Sequence, residues 1–265
     1  MIDLHSHVLP GIDDGPRDLA GSIAMAHVAA DAGTTCLVAT PHLREDHPAV
    51  RPGELAARVA EVNRALARHG VGVEVVSGAE VDLTTGLELG DEDLRAASLA
   101  GRGRDLLVES PYGPLPSVFE SLISSLAGRG FRITLAHPEL NPSFQDQPER
   151  LERLVADGIL LQLTARSLRA GRRSPARTLA LTALERGWAH VVASDGHSSD
   201  WRPPALGVEV RRLAEREPHL APRLAWMTVD APRAILDGVA LPPGPPVRVP
   251  RRRRGVWARL SGYGR

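Results

Sequence analysis

Two imidazoles two residues apart, behind an apolar start, open the chain in Ile2-Asp3-Leu4-His5-Ser6-His7. On a β-strand the period of two puts His5 and His7 on one face. The turn-rich stretch Pro10-Gly11-Ile12-Asp13-Asp14-Gly15 then returns carboxylates to the end of that strand. Neutral imidazoles combined with carboxylates suit manganese, iron or zinc. A His-x-His pair alone is a weak signal. It gains weight because acids and histidines recur where later apolar runs end. His42 closes Thr40-Pro41-His42, Glu80 follows Gly78-Ala79, and Glu109 follows Leu106-Leu107-Val108. His137 follows Ile133-Thr134-Leu135-Ala136, and Asp195-Gly196-His197 follows Val191-Val192-Ala193-Ser194.

These apolar runs read as strands at 35–39, 71–77, 104–109, 132–136, 159–163 and 189–194, after the first at the N-terminus. Helical stretches fall between them at 19–32, 52–69, 116–127, 149–156 and 175–186. Short strands alternating with helices of this length predict a parallel α/β arrangement. In such folds the carboxyl ends of the strands converge on one face, where active sites are built. His5, His7, His42, His137 and His197 are thereby expected at one rim with Asp14, Glu80, Glu109 and Asp195.

The length of 265 residues allows one sizeable core. Arginine supplies every basic residue, and 32 basic residues balance 32 acidic ones, so the total charge does not call for nucleic acid as a partner. The single cysteine excludes an internal disulfide framework and suits a reducing compartment, with the cytoplasm as the expected location. Cys36 lies inside Cys36-Leu37-Val38-Ala39 and reads as a buried structural thiol rather than a nucleophile. No run approaches the roughly 20 apolar residues of a membrane span, and no signal peptide is apparent. Composition changes only near residue 239, which suggests one domain over 1–238. The extension 239–265, with Pro242-Pro243-Gly244-Pro245-Pro246 and Arg251-Arg252-Arg253-Arg254, is expected to be poorly ordered.

The motifs resemble those of the polymerase-and-histidinol-phosphatase (PHP) domain proteins. More narrowly, they resemble the bacterial metal-dependent protein-tyrosine phosphatases of capsular and exopolysaccharide loci. The run 3–15, with its Leu-Pro-Gly-Ile-Asp-Asp-Gly portion, carries most of this likeness. Thr40-Pro41-His42, Gly78-Ala79-Glu80, Glu109, Ala136-His137-Pro138-Glu139 and Ser194-Asp195-Gly196-His197 continue it in family order. The resemblance implies a distorted (β/α)7 TIM-like barrel with about three divalent ions, manganese first and iron, zinc or magnesium as alternatives. It places His5, His7, Glu80 and Asp195 around one ion. Glu80 would bridge to a second, with Glu109 and His137, and Asp14, His42 and His197 would hold the third. Asp13 is the rival of Asp14.

The implied reaction is hydrolysis of phosphotyrosine by metal-activated water. His42 or His197 would assist the leaving group, and Arg202 in Trp201-Arg202-Pro203-Pro204 would orient the phosphate through its planar fork. The implied partner is the tyrosine-bearing tail of a bacterial kinase that controls polysaccharide export. The alternatives are a small phosphomonoester such as histidinol phosphate, or a metal-binding scaffold without turnover. One departure stands out: relatives usually follow His-Pro-Glu with arginine, whereas this chain has Leu140. Arg44 and Arg166 are the candidate substitutes.

Overall fold

The structure is a computed structural model that describes residues 1–246. Its strands are β1 (Ile2–Ser6), β2 (Cys36–Ala39), β3 (His42–Leu43), β4 (Glu74–Ser77), β5 (Glu80–Asp82), β6 (Asp105–Glu109), β7 (Arg132–Ala136), β8 (Leu160–Thr164) and β9 (Val191–Ala193). Every pairing is parallel. One sheet runs β1-β2-β4 and the other β3-β5-β6-β7-β8-β9. The two sheets are one barrel interrupted twice. Thr40-Pro41 separates β2 from β3, and Gly78-Ala79 separates β4 from β5. Counting each broken strand once leaves the seven staves of a distorted (β/α)7 barrel.

The breaks have local causes. Pro41 has no N–H for a ladder, and its carbonyl instead accepts from the Glu80 amide at 3.1 Å. A Cβ at Gly78 would stand 2.9 Å from Leu99 Cδ2, so the close turn before Glu80 requires glycine. The barrel closes between β9 and β1. The Asp195 amide donates to the His5 carbonyl at 3.0 Å, and the His7 amide donates to the Gly196 carbonyl at 2.8 Å. Buried Asp3 joins the same seam by accepting from the Ser194 amide at 2.9 Å, and burial pushes its pKa up to about 6.

The register between β1 and β2 slips between Asp3 and Ser6. A bulge of this kind reverses the alternation of faces. Leu4 therefore points to the same side as His5 and His7. Ile2 and Leu4 pack with Cys36, Val38, Leu107, Val191 and Ala193 in a small inner cluster. Leu37, Leu106, Ile133, Leu135 and Leu161 belong instead to the larger cluster, with the helix residues Met25, Leu66 and Leu126. Both faces of the strands are buried, as a parallel sheet covered by helices requires.

The main covering helices match the expected positions: Leu19–Asp31, Leu55–Arg68, Phe119–Ala127, Glu149–Ala156 and Pro175–Arg186. Three further helices, Leu206–Arg216, Ala221–Thr228 and Asp230–Leu236, go beyond the expected set; Pro222 and Pro232 fall in the first turns of the last two, whereas Leu206–Arg216 contains no proline and has a legible amphipathic period. Ile235 and Leu236 close the inner cluster. Beyond residue 238 the chain still touches the barrel: the Val239 carbonyl accepts from Arg132 Nη1 at 2.5 Å and the Pro242 carbonyl from Trp226 Nε1 at 3.2 Å. The arginine run at 251–254 lies outside the described residues. Among the described residues no helix is long and apolar enough to cross a membrane.

Helix Leu206–Arg216 lies so close to the end of Leu19–Asp31 that a Cβ at Gly207 would meet the Ala32 carbonyl oxygen at 2.0 Å. Gly207→Ala improves helix propensity but forces this contact apart, and overpacking of this kind costs about 1–3 kcal/mol. The melting temperature measured by calorimetry is expected to fall by about 2–8 °C. An unchanged or higher value would show that the helix can step away freely.

Candidate metal centre

The strand ends deliver the expected side chains to one rim. His5 lies in β1 and His7 just beyond it, His42 opens β3, Glu80 opens β5, Glu109 ends β6, and His137 follows β7. Asp195 and His197 follow β9, and Asp14 arrives from the loop after β1. All of these are buried except Asp14, whose side chain is 50% exposed and so marks the open side. His137 and Asp195 hold left-handed backbone at φ 32° and 55°. Such conformations cost non-glycine residues about 1–3 kcal/mol each and persist where the surroundings impose them. Here they turn the chain at the strand ends that carry the side chains.

The donors form a continuous cluster. His5 Nε2 lies 3.3 Å from Glu80 Oε2 and 3.4 Å from Asp195 Oδ1, and His7 Nε2 lies 3.5 and 3.6 Å from the same two oxygens. His137 Nε2 is 2.8 Å from Glu80 Oε1 and 3.8 Å from Glu109 Oε1. Asp14 Oδ1 is 3.3 Å from His197 Nε2 and 3.6 Å from His42 Nε2. The grouping differs in one respect from the one implied by resemblance. His42 faces Asp14 through Nε2, but its Nδ1 lies 2.9 Å from Glu80 Oε2 and 3.7 Å from Glu109 Oε2. It therefore stands between two clusters rather than within one.

Hydrogen-bond directions show what this cluster can hold. The Asp13 carboxylate can only accept, so His7 Nδ1 donates to it at 2.7 Å and leaves a lone pair on Nε2. Gln162 Oε1 accepts from the His137 amide at 3.3 Å, which fixes the orientation of the side-chain amide, and it also accepts from His5 Nδ1 at 3.0 Å. His5 Nε2 thus also carries a lone pair, only 3.2 Å from that of His7. With both rings neutral, as metal ligands must be, two lone pairs and two carboxylate oxygens converge, an arrangement that a cation completes. Glu80 Oε2 and His42 Nδ1 are buried and, although close, are not aligned for a hydrogen bond with each other or any partner. The donor set of imidazole nitrogens and carboxylate oxygens fits divalent ions.

The protonation equilibria carry the same imprint. Burial opposes ionisation of Glu80, but the His5 and His137 imidazoles outweigh it and hold its pKa well below the usual carboxylate range. Burial likewise opposes charging His137, yet the Glu80 carboxylate lifts its pKa to about 10. Burial and the charge of Glu80 push Glu109 up. Protons and divalent ions compete to balance one excess of negative charge.

A cavity of about 250 Å³ opens on this cluster and is lined by Arg202, Arg166, Leu140 and Tyr112 as well as His42 and Glu109. Arg202 Nη2 donates to Asp195 Oδ2, its Nη1 lies 3.2 Å from His197 Nε2, and its buried Nε has no partner. Arg44 is already engaged: it donates to Asp46 at 2.6 Å and to the Tyr112 hydroxyl at 3.0 Å, and it lies 3.4 Å from Glu109 Oε2. Arg166 is exposed beside Leu140. Cys36 is buried in the inner cluster, and burial with the nearby Glu74 raises its pKa to about 11, which makes it inert as a nucleophile at neutral pH.

Two residues of this centre escaped notice as orienting groups. By residue type and place Asp13 is a rival of Asp14 as ligand. It instead accepts from His7 and from the amides of Gly15 and His42 at 3.0 and 3.1 Å. Gln162 is the one amide within the apolar strand Leu160–Thr164, and that incongruity was the available signal. Asp13→Ala and Gln162→Leu are each expected to weaken metal retention about 10- to 100-fold without removing a ligand atom. Titration with a chelator, read by elemental analysis, checks this. Retention equal to the parent chain would remove both residues from the centre.

With this geometry in place, comparison with known proteins gives a consistent answer. Tyrosine-protein phosphatase YwqE of Bacillus subtilis is 29% identical over 255 residues, which span 96% of this chain and 98% of that protein. Tyrosine-protein phosphatase CpsB of Streptococcus pneumoniae is 25% identical over 244 residues, spanning 89% and 98%. A crystal structure from work on YwqE and CpsB, described there as unique metal-dependent tyrosine phosphatases, superposes with a TM-score of 0.80 at 28% identity, covering 95% of this chain and all of the other. The family model for capsular polysaccharide synthesis, CpsB/CapC, matches residues 1–229, and the chain belongs to that PHP-domain family.

Proposed function

We propose that this chain is a manganese-dependent protein-tyrosine phosphatase. The observation that carries the reading is the buried set of imidazole and carboxylate donor atoms opening onto a cavity that Arg202 also lines. His5, His7, Glu80, Asp195, Glu109, His137, Asp14, His42 and His197 are the proposed ligands of about three divalent ions. Ions bound there supply an acidified water as nucleophile and neutralise charge on the phosphoryl oxygens. The chain's own residues do the rest. Asp13 and Gln162 hold the His7 and His5 rings in the tautomers that aim Nε2 inward. Arg202 lines the cavity as the proposed phosphate contact while Asp195 fixes its fork. His197 Nδ1 donates to the Asp195 carbonyl at 3.0 Å, which leaves Nε2 as its ligand atom and, once a metal is bound there, no proton for a leaving group. A phenolate, with a parent pKa near 10, needs little such help.

The rim favours a protein substrate over a small metabolite. Exposed apolar side chains that are grouped rather than scattered mark interaction surfaces. Tyr112, Leu140 and Trp201 at the cavity and its margin are 73%, 46% and 63% exposed. A phosphotyrosine-bearing segment, such as the tail of a bacterial tyrosine kinase acting in polysaccharide export, would cover them. Histidinol phosphate would not.

Assay of the purified chain with manganese against a phosphotyrosine peptide, histidinol phosphate and an aryl phosphate tests the proposal. The peptide is expected to give the highest kcat/KM. Faster turnover of histidinol phosphate would reverse the substrate assignment. Glu80→Ala should abolish nearly all turnover and release metal, whereas Cys36→Ala should leave both intact. Arg202→Ala is expected to lower kcat/KM about 10- to 100-fold, the worth of a charge-assisted hydrogen bond, with metal content unchanged. Arg202→Lys should recover part of that loss, since lysine lacks the planar fork. Wild-type kinetics in Arg202→Ala would exclude Arg202 from phosphate binding.

A further inference from the structure

The metal cavity does not end at Leu140. Leu140 and Arg166 also line a neighbouring cavity of about 530 Å³ with Arg169 and Trp201. Arg169 and Ala170 in turn line a third cavity of about 690 Å³, together with Arg172, Arg177, Arg212 and Arg216. The three form one continuous surface groove leading away from the metals. Six guanidinium groups border its outer two sections against the two carboxylates of Glu209 and Glu217.

Those carboxylates do not neutralise it. Glu209 Oε1 is shared, 3.2 Å from Arg169 Nε and 3.7 Å from Arg212 Nη1. Glu217 faces His219 at 3.7 Å. Among the described residues no carboxylate forms an ion pair with Arg166, Arg172, Arg177 or Arg216. Arg212 and Arg216 sit four apart on helix Leu206–Arg216, a like-charge spacing that destabilises a helix in isolation. A chain with a formal net charge of +0 has therefore concentrated positive charge along one path.

We infer that this groove docks an extended acidic peptide segment flanking the phosphotyrosine. The inference rests on the proposed phosphatase reading and adds to it where specificity resides. Arginine forks match carboxylates bidentately. Exposed charges of this kind act mainly through long-range attraction and complementarity. The chemistry favours peptide over single-stranded nucleic acid, because sequence-independent nucleic-acid grooves interleave aromatic stacking platforms. Trp201 is the single aromatic side chain in the outer two sections.

The test uses the full chain with manganese and the triple variant Arg172→Glu, Arg177→Glu, Arg216→Glu, none of which is a proposed ligand or phosphate contact. The probes are a glutamate-flanked phosphotyrosine peptide, the same peptide with glutamine for glutamate, and p-nitrophenyl phosphate. The triple variant is expected to raise KM for the acidic peptide about tenfold and to leave the other two substrates unchanged. Moderate salt should erase the parent chain's preference for the acidic peptide. Equal kcat/KM for the two peptides in the parent chain, or an unaltered acidic-peptide KM in the variant, would overturn the groove while leaving the phosphatase reading intact. If the parent chain hydrolyses none of the probes, the phosphatase reading fails. Fluorescence anisotropy with a labelled acidic peptide then decides the groove separately: weaker binding by the variant supports it, and equal binding overturns it. Tighter, variant-sensitive binding of a short single-stranded DNA would overturn the peptide assignment. A glutamine triple variant replaces the glutamate one if melting curves show that the latter has lost its fold.

Discussion

The Glu80 carboxylate, 1% exposed, faces His137 through one oxygen and His5, His7 and His42 through the other. An ion removed from water at this depth costs several kcal/mol unless opposite charge and well-aimed partners compensate. Glu109 and Asp195 add further buried negative charge within the same cluster. The barrel is arranged around this demand. The break at Gly78-Ala79 places Glu80 at the head of a new strand, and the bulge in β1 swings His5 and His7 to the side already occupied by Leu4. The left-handed turns at His137 and Asp195 put backbone strain at the same rim. These departures from regular geometry all lie beside the cluster and not in the helices that cover it, as expected where a site is held at the expense of local stability.

The parallel α/β class and the rim of metal-binding side chains could be read from the sequence because both obey short-range rules. Apolar runs ending in His, Asp or Glu report strand and site together, and every ligand candidate but Asp14 lies in a strand or within four residues of its end. What escaped depends on contacts between segments distant in the chain. The bulge in β1 shows only against its pairing with β2, and Asp13 and Asp14 are indistinguishable by type until His7 and His42 lie around them. Gln162 acts on His5, 157 positions away in the chain. The last two helices are short and carry proline in their first turns, which blurs their period, whereas Leu206–Arg216 has a clear one.

Asp195 joins two functions that the sequence presents separately. Its Oδ1 turns toward His5 and His7, and its Oδ2 accepts from Arg202. The arginine is thus oriented by a proposed metal ligand, so one carboxylate positions both the metal side and the phosphate side of the site. Leu140 offers no charge across the cavity, and Arg44 has its donors occupied by Asp46 and Tyr112. That leaves Arg166, exposed beside Leu140, as the second cation available to the cavity. It is also the first arginine of the outer groove. Positive charge beside Leu140 is therefore carried by Arg166 on the helix Ala165–Arg169, next to the other arginines of the basic path.

Charge balance over the whole chain explains why such a path can exist in a molecule with no net charge. Among the described residues Asp3, Glu80, Asp105, Glu109, Glu139 and Asp195 are buried, against only Arg150 and Arg223 among the arginines. Drawing acids inward for the metal centre and its supports leaves the exterior enriched in guanidinium groups. Divalent ions can balance the interior but do nothing for the distant surface, since exposed charges beyond about 10 Å are screened from it by solvent and salt. The buried demand at Glu80 and the unpaired arginines of the groove are two consequences of one partition of charge. An acidic ligand reaching from one to the other would meet cations at both ends.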